Sequence, residues 1–258
     1  MDVTERSNLR EQPEIKRLFE ILVENHLTKE QEQVESLVGY LDSMENQFGQ
    51  VLSELKQVRE QLEQIQDRGI RASVTRLIET SEGKVQEMGH QIAEIKSMMI
   101  NAAKDAVCKF REKGLGALQK VVAVLKIPEM LSSMRECVCR CAVGMKYQAI
   151  KVEKIGREVQ EVRVHRKNIG RLILGRAKIK PEMKNSDRGI LAKIQRGFLE
   201  TSNLFSKMEK GALQAEKRIQ NFQSRETGKT SVKADLQAIK EKKVVKSTPA
   251  PIKQEKVR

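Results

Sequence analysis

The chain has 258 residues, of which 33% are charged and only 3% are aromatic, with no tryptophan. This composition argues against a large globular core and is typical of long helices that bury a narrow aliphatic stripe. The formal charge of +14 is divided unevenly, because residues 1–70 carry 8 basic and 15 acidic side chains, net −7, whereas the rest carry 41 and 20, net +21. The basic part therefore suits a polyanion, or the acidic segment of the same chain, and the sequence leaves both open.

The pattern of charge also bears on location. The first residues are charged where a signal peptide needs an apolar stretch, and no apolar run reaches the roughly 18 residues that a membrane-spanning helix requires. Four cysteines without an export signal are expected to be reduced thiols. We therefore predict a cytoplasmic protein without a transmembrane segment.

Residues 1–27 predict a short helix that begins at Pro13 and carries Ile15, Leu18 and Leu22 on one face. Residues 28–127 predict an acidic-to-neutral heptad coiled-coil region with a break near residues 67–72. Thr28 and Gln31 have capping-box spacing, so the long helix should start at Thr28 and run to about Asp67. Its predicted seam, with apolar residues at alternating steps of three and four, is Val34, Leu37, Leu41, Met44, Phe48, Val51, Leu55, Val58, Leu62 and Ile65.

Residues 128–180 predict a basic coiled-coil helix whose stripe runs from Leu131 to Ile173. Two members of that stripe, Gln148 and Arg166, are polar, and such residues either select the register of the partner helix or mark a helix that turns outward. Residues 181–224 predict a C-terminal amphipathic helix that ends near Ser224. Residues 225–258 hold 10 basic and 4 acidic side chains and predict a disordered Lys-rich tail.

The sequence contains no complete motif for a metal site, a phosphate-binding loop or a catalytic triad. Cys137 and Cys141 share a helix face, but a structural zinc ion needs four ligands and the chain offers no CxxC pair. Gly228, Lys229 and Thr230 resemble the end of a phosphate-binding loop, yet Gln223 stands where its first glycine is required. The three histidines lie in separate segments, and no nucleophile stands near one of them in a triad pattern. We therefore predict no enzyme activity, no metal and no cofactor.

The clearest functional indication is a basic interval that contains no acidic residue between Glu161 and Glu182. Helical spacing places Arg163, Lys167 and Arg171 on one ridge, which could follow a phosphate backbone, although the same pattern also fits a solvated or acid-paired face. An anionic membrane surface would attract the ridge as well, provided that bulky apolar anchors lie beside it. The candidate nucleic-acid-binding residues are Arg163, Arg166, Lys167, Arg171, Arg176, Lys178 and Lys180.

A family resemblance is carried by the segment from Leu37 to Met88. Its distinctive residues are Tyr40, Asp42, Ser43, Met44, Glu45, Gln47 and Phe48, followed by Gln66 to Gly69. This segment resembles an uncharacterised family of helical proteins seen on integrative and conjugative elements of gut-associated Gram-positive bacteria, over roughly the N-terminal half of the chain. The resemblance implies a bacterial mobile-element setting and brings no catalytic or binding residues.

The predicted fold is all-α and elongated, with coiled-coil-rich helices that form antiparallel hairpins or an oligomeric coiled coil, followed by the basic tail. The first functional hypothesis is a non-enzymatic scaffold or adaptor that binds protein partners through its coiled coil and self-associates. The alternatives are a nucleic-acid-binding accessory protein that contacts the phosphate backbone and a protein that binds an anionic membrane surface.

Overall fold

A computed structural model describes residues 8–116, 120, 126–180 and 189–245 of the chain, and from residue 222 onward it describes the backbone alone. Within these residues lie a 3₁₀ turn (Leu9–Glu11) and the helices α1 (Pro13–Glu24), α2 (Thr28–Glu63), α3 (Arg68–Lys113), α4 (Ile127–Ile173) and α5 (Ile190–Val245). No strand occurs in the described ranges, so the predicted all-α fold is confirmed.

The four long helices form antiparallel neighbours. α2 and α3 make one hairpin, and two ion pairs define their direction: Arg59 with Glu82 at 2.8 Å, and Glu45 with Lys96 at 2.7 Å. The two helices therefore run antiparallel, because the end of α2 lies beside the beginning of α3. At 36 and 46 residues, these helices are about 54 and 69 Å long, which makes the molecule elongated.

α4 and α5 make the second hairpin. The hydroxyl of Ser202 donates a hydrogen bond to the backbone carbonyl of Ala142 at 2.8 Å, and Arg135 contacts Glu216 at 3.4 Å. α3 also packs on α4, and α5 packs back on α2, which closes a four-helix arrangement in chain order. α1 covers α3 and the start of α2. The predicted antiparallel hairpins are thus formed within one chain.

The core of this arrangement is made by the predicted seams. Nine of the ten predicted α2 seam residues are buried, and Phe48 is half-buried. The stripe of α5 is buried as well, from Ile194 through Phe198 and Phe205 to Ile219. Because each long helix buries only one of its faces, the bundle needs no wide core and few aromatic residues.

The α4 stripe does not stay in the core along its whole length. From Leu131 to Val152 its members are buried, including the polar Gln148, but Val162, Arg166 and Ile169 are exposed. The prediction of one continuous seam to Ile173 is therefore wrong for the last third of the helix. The physical reason is that α4 extends beyond the first turn of α5, so no described element of the chain covers this third.

Two predicted helix boundaries at the first hairpin also differ from the structure. α2 begins at Thr28 as expected, but the N-cap is Leu27, whose side chain makes no capping hydrogen bond, so the capping box is not formed. α2 ends at Glu63 rather than Asp67. Asp67 instead caps α3, because its Oδ1 accepts hydrogen bonds from the backbone N–H groups of Gly69 and Ile70 at 2.9 and 3.0 Å.

The C-terminal helix also differs from its predicted range. α5 begins at Ile190, and residues 181–188 of the predicted segment lie outside the described residues. Its backbone continues past Ser224 to Val245, so the helix is longer than predicted. Residues 246–258 of the predicted tail lie outside the described residues, as do the side chains of 222–245.

One contact between α2 and α5 should make stability depend on pH. Burial and a hydrogen bond to the carboxyl of Glu200 raise the pKa of Glu54 above its ordinary value. A raised pKa means that folding favours the protonated form of Glu54. The protonated carboxyl therefore stabilises the fold at pH values below the ordinary Glu pKa of about 4.3. This stabilisation is lost as the pH rises through the higher pKa of the folded state.

Glu54→Gln is therefore expected to unfold at a higher temperature than wild type at pH 7, because the neutral amide removes the repulsion between the two carboxylates. The difference should shrink as the pH is lowered toward about 4. Thermal melts followed by circular dichroism across this range measure it, with Glu60→Gln, an exposed site on the same helix, as the control. A difference that grows on acidification would contradict the argument.

Candidate functional site

α4 ends in a projecting segment, residues 157–180, which we call the tip. At Gly156, α4 still meets Leu191 in the first turn of α5. Beyond Gly156 no residue of the tip is buried. The helical part, residues 157–173, is about 25 Å long at 1.5 Å per residue. The tip is therefore a helix end that extends past the described parts of the other helices.

The end of the tip helix is closed by a well-defined turn. Gly175, with φ of +67°, occupies the left-handed position that favours glycine, and its N–H donates to the carbonyl of Leu172 at 3.0 Å. The N–H of Arg176 donates to the carbonyl of Arg171 at 2.8 Å, which completes a Schellman motif. The prediction that the helix continues to residue 180 is therefore wrong, since it ends at Ile173.

Residues 176–180 return along the helix and are held there by side chains. The amide of Asn168 both accepts a hydrogen bond from the N–H of Ile179 at 2.7 Å and donates to its carbonyl at 2.9 Å. Nε of Arg171 donates to the carbonyl of Ala177 at 2.6 Å. Arg171 thus holds the turn through Nε and is half-buried, whereas Arg163 and Lys167 of the predicted ridge are exposed.

The remaining cations of the tip have no carboxylate partner among the described residues. None of the seven predicted basic residues forms an ion pair with a carboxylate in the described part of the chain. The six apart from Arg171 are exposed, namely Arg163, Arg166, Lys167, Arg176, Lys178 and Lys180. Within the described residues, the carboxylates of α2 therefore do not neutralise this interval.

The tip also exposes large aliphatic side chains, and three of them, Val162, Ile169 and Ile173, belong to the stripe that was predicted to be buried. The exposed fraction ranges from 43% for Ile179 to 80% for Ile173. The exposed set is Val162, Ile169, Leu172, Ile173, Leu174 and Ile179. Cations and uncovered aliphatic groups therefore occur together on one projecting helix end.

A second apolar surface lies on the outer side of α4, away from the core, and the sequence analysis missed it. Val143, Tyr147 and Ile150 are 64%, 56% and 41% exposed and follow the i, i+4, i+7 spacing of one helix face. Nζ of Lys151 lies 4.5 Å from the centre of the Tyr147 ring. We call these three residues the outer stripe of α4. The sequence could have revealed this surface, because the three residues form a second apolar row at helical spacing, beside the row that was predicted to be buried.

The described part of the chain shows neither an activated thiol at Cys141 nor a cluster of metal-binding side chains. Cys141 is buried, and burial together with the adjacent Cys137 raises the pKa of its thiol to about 12, so it is not a thiolate at neutral pH. In the described ranges no three His, Cys, Asp or Glu side chains lie close enough to hold a metal ion. Gly228 to Thr230 fall where side chains are outside the description.

A groove of about 370 Å³ lies between the start of α4 and α5. Its lining includes Pro128, Ser132 and Ile219, and the ion pair of Arg135 with Glu216. Oε1 of Glu216 has no hydrogen-bond partner in the described structure. Among the residues that line this groove, Arg135 and Glu216 are the ionisable ones, and they bind each other.

Comparison with known proteins places the chain in a family. The model of the family of unknown function DUF6674 matches residues 11–256. The chain belongs to this family. The match is not confined to the N-terminal half, so the predicted extent of the resemblance is wrong, whereas an uncharacterised family is what the resemblance indicated. No curated protein and no solved structure matches the chain.

Across the described ranges, none of the helices combines the length and the hydropathy that a membrane span requires.

Proposed function

We propose that this DUF6674 member is a non-enzymatic scaffold or adaptor that binds an acidic amphipathic helix of a partner protein along the outer stripe of α4. The observation that carries the proposal is the exposure of Val143, Tyr147 and Ile150 on a helix whose opposite face is already packed. A cytoplasmic location and a mobile-element origin remain predictions that accompany this proposal.

The spacing of the outer stripe supports a helical partner. Three large apolar side chains at i, i+4 and i+7 form the kind of anchor row that two packed helices share. Tyrosine is enriched at the energetically dominant positions of interfaces, and Tyr147 lies in the middle of this row. The inner face of the same turns, including Met145 and Val152, is buried in the bundle, so the outer stripe is separate from the core.

Charge supports an acidic partner. No acidic residue occurs between Glu136 and Glu153, whereas Arg140, Lys146 and Lys151 flank the outer stripe. A partner helix with Asp or Glu beside its apolar row would match these cations, and a second copy of the same face would be repelled. The α2 seam is a poorer candidate surface, because its residues are covered by the other helices of the same chain.

The test is photo-crosslinking in the cells of origin, with the full chain carrying a benzoyl-phenylalanine at position 143 or, as control, at the exposed Leu52 of α2. We expect a discrete adduct from position 143 only, in which mass spectrometry identifies an acidic, amphipathic partner segment. Lys146→Glu with Lys151→Glu should reduce the adduct about tenfold. Equal adducts from both positions, or a crosslinked segment without acidic residues, would overturn the proposal.

The second candidate function is a nucleic-acid accessory role, which the six exposed cations of the tip favour. Contacts of this kind would be made to phosphates, so binding would be weakly selective for sequence and strongly dependent on salt. Phosphate binding does not require the uncovered aliphatic side chains that lie among these cations, and this makes the nucleic-acid role the weaker candidate.

A further inference from the structure

We infer that the tip docks on an anionic lipid surface, with the end of its helix inserted among the lipid headgroups. The inference concerns a surface different from the outer stripe of α4 and does not depend on the scaffold proposal. It rests on the combination of exposed aliphatic side chains, exposed cations and projection beyond the bundle that residues 157–180 have.

The aliphatic side chains surround the helix end rather than forming one row. Ile169 and Ile173 share a face, and Leu172 lies about 100° around the helix from Ile173. Leu174 follows the last helical residue, and Ile179 is tied by hydrogen bonds to Asn168 on the returning segment. A partner helix or groove takes a single row, whereas the boundary between headgroups and acyl chains accepts a convex apolar end.

The dimensions fit a lipid interface. The apolar faces of peripheral helices enter the headgroup boundary by about 5–10 Å. The residues from Ile169 to Leu174 span about 9 Å along the helix axis, so a tip that enters end-on would place all of them at that depth. Arg166 and Lys167 lie two to three residues, about 3–5 Å, before this segment. In this orientation they would reach the lipid phosphates with their aliphatic stems along the apolar surface.

The charge fits an anionic surface and disfavours a second copy. From Val162 to Lys180 the chain has seven basic residues and no acidic residue, and none of these cations is paired with a described carboxylate. Two such tips would repel each other, whereas phosphatidylserine-type headgroups would attract both. Electrostatic attraction to the headgroups and burial of aliphatic side chains would then act on the same segment. Peripheral membrane binding commonly requires both of these contributions together.

The test is co-sedimentation of the full chain with phosphatidylcholine vesicles that contain or lack phosphatidylserine, at physiological ionic strength. We expect binding to the anionic vesicles only. Ile173→Ser with Leu174→Ser keeps every cation and should lower the affinity for these vesicles at least about tenfold, as should Arg166→Gln with Lys167→Gln. All four positions are exposed, so these variants are expected to fold, and circular dichroism checks their helix content.

Matched controls lie elsewhere on the bundle. Leu52→Ser removes an exposed aliphatic residue from α2, and Lys104→Gln with Lys109→Gln removes two exposed cations near the opposite end of α3. Neither should change vesicle binding. The same proteins are titrated with a labelled random-sequence duplex to test the competing ligand.

Three outcomes would overturn the inference. The first is equal binding to vesicles with and without phosphatidylserine. The second is full anionic-vesicle binding by the Ile173→Ser, Leu174→Ser variant. The third is tight duplex binding without vesicle binding, lost on neutralising Arg166 and Lys167 but kept by the serine variant, which would assign the tip to nucleic acid. None of these results bears on crosslinking at position 143, so the two proposals fail separately.

Discussion

Phe198→Ala is expected to lower the free energy of unfolding by about 3–5 kcal/mol, the range for removing a buried phenylalanine ring. Phe198 is fully buried in α5, the helix that packs against both α2 and α4. Loss of the ring removes apolar burial and leaves a cavity at the junction of three helices.

Urea denaturation followed by circular dichroism at 222 nm measures the change. The matched control is Leu199→Ala, one residue along the same helix, where the side chain is 38% exposed and the loss should be well below that of Phe198. Equal losses at the two positions would show that α5 is not oriented with residue 198 toward the core. An unchanged slope of the transition with denaturant would show that the variant still unfolds as one unit.

Gly197→Ala is expected to cost about 1–3 kcal/mol, although alanine is the better helix former. A Cβ at Gly197 would overlap Cγ2 of Val58, a branched and fully buried side chain of α2 that cannot rotate away cheaply. The close approach of α5 to α2 therefore requires glycine at this position. The gain of up to about 1 kcal/mol in helix propensity is outweighed by the overlap.

The control for this substitution is Gly83→Ala in α3, where nothing lies within 4 Å of the added Cβ. Here only propensity acts, so stability should rise by up to about 1 kcal/mol. Combining Gly197→Ala with Val58→Ala should cost less than the sum of the two single changes, because the smaller side chain makes room for the methyl group. A destabilising Gly83→Ala, or strict additivity of the pair, would contradict the described packing.

Much of the fold could be predicted from periodicity. The α2 seam from Val34 to Ile65 is buried at nine of its ten positions, because a heptad pattern determines which side of a helix is apolar before any partner is known. Phe48 is the exception. It lies against Gly89 of α3, and its large ring remains half-buried there. The sequence carries no signal for that local fit.

The functional surfaces could be predicted only in part. The basic interval was found because its composition is unusual over a continuous stretch, and the structure places it on a projecting helix end. The use of Arg171 to hold the turn through the carbonyl of Ala177 was not predictable, because it depends on how residues 174–180 fold back. The outer stripe of α4 was missed because Tyr147 and Ile150 fall between members of the stronger inner stripe.

The amino-acid sequence alone was enough to establish that this protein is helical, which face of α2 and of α5 is buried, and where the positive charge collects. The tertiary structure was needed to show that α2, α3, α4 and α5 cover one another within a single chain. It also shows that α4 extends beyond the described parts of the neighbouring helices. The physical reason is that periodicity is a property of one helix, whereas burial depends on which helices lie beside it. The same pattern of aliphatic residues is therefore core at Val152 and exposed surface at Ile173.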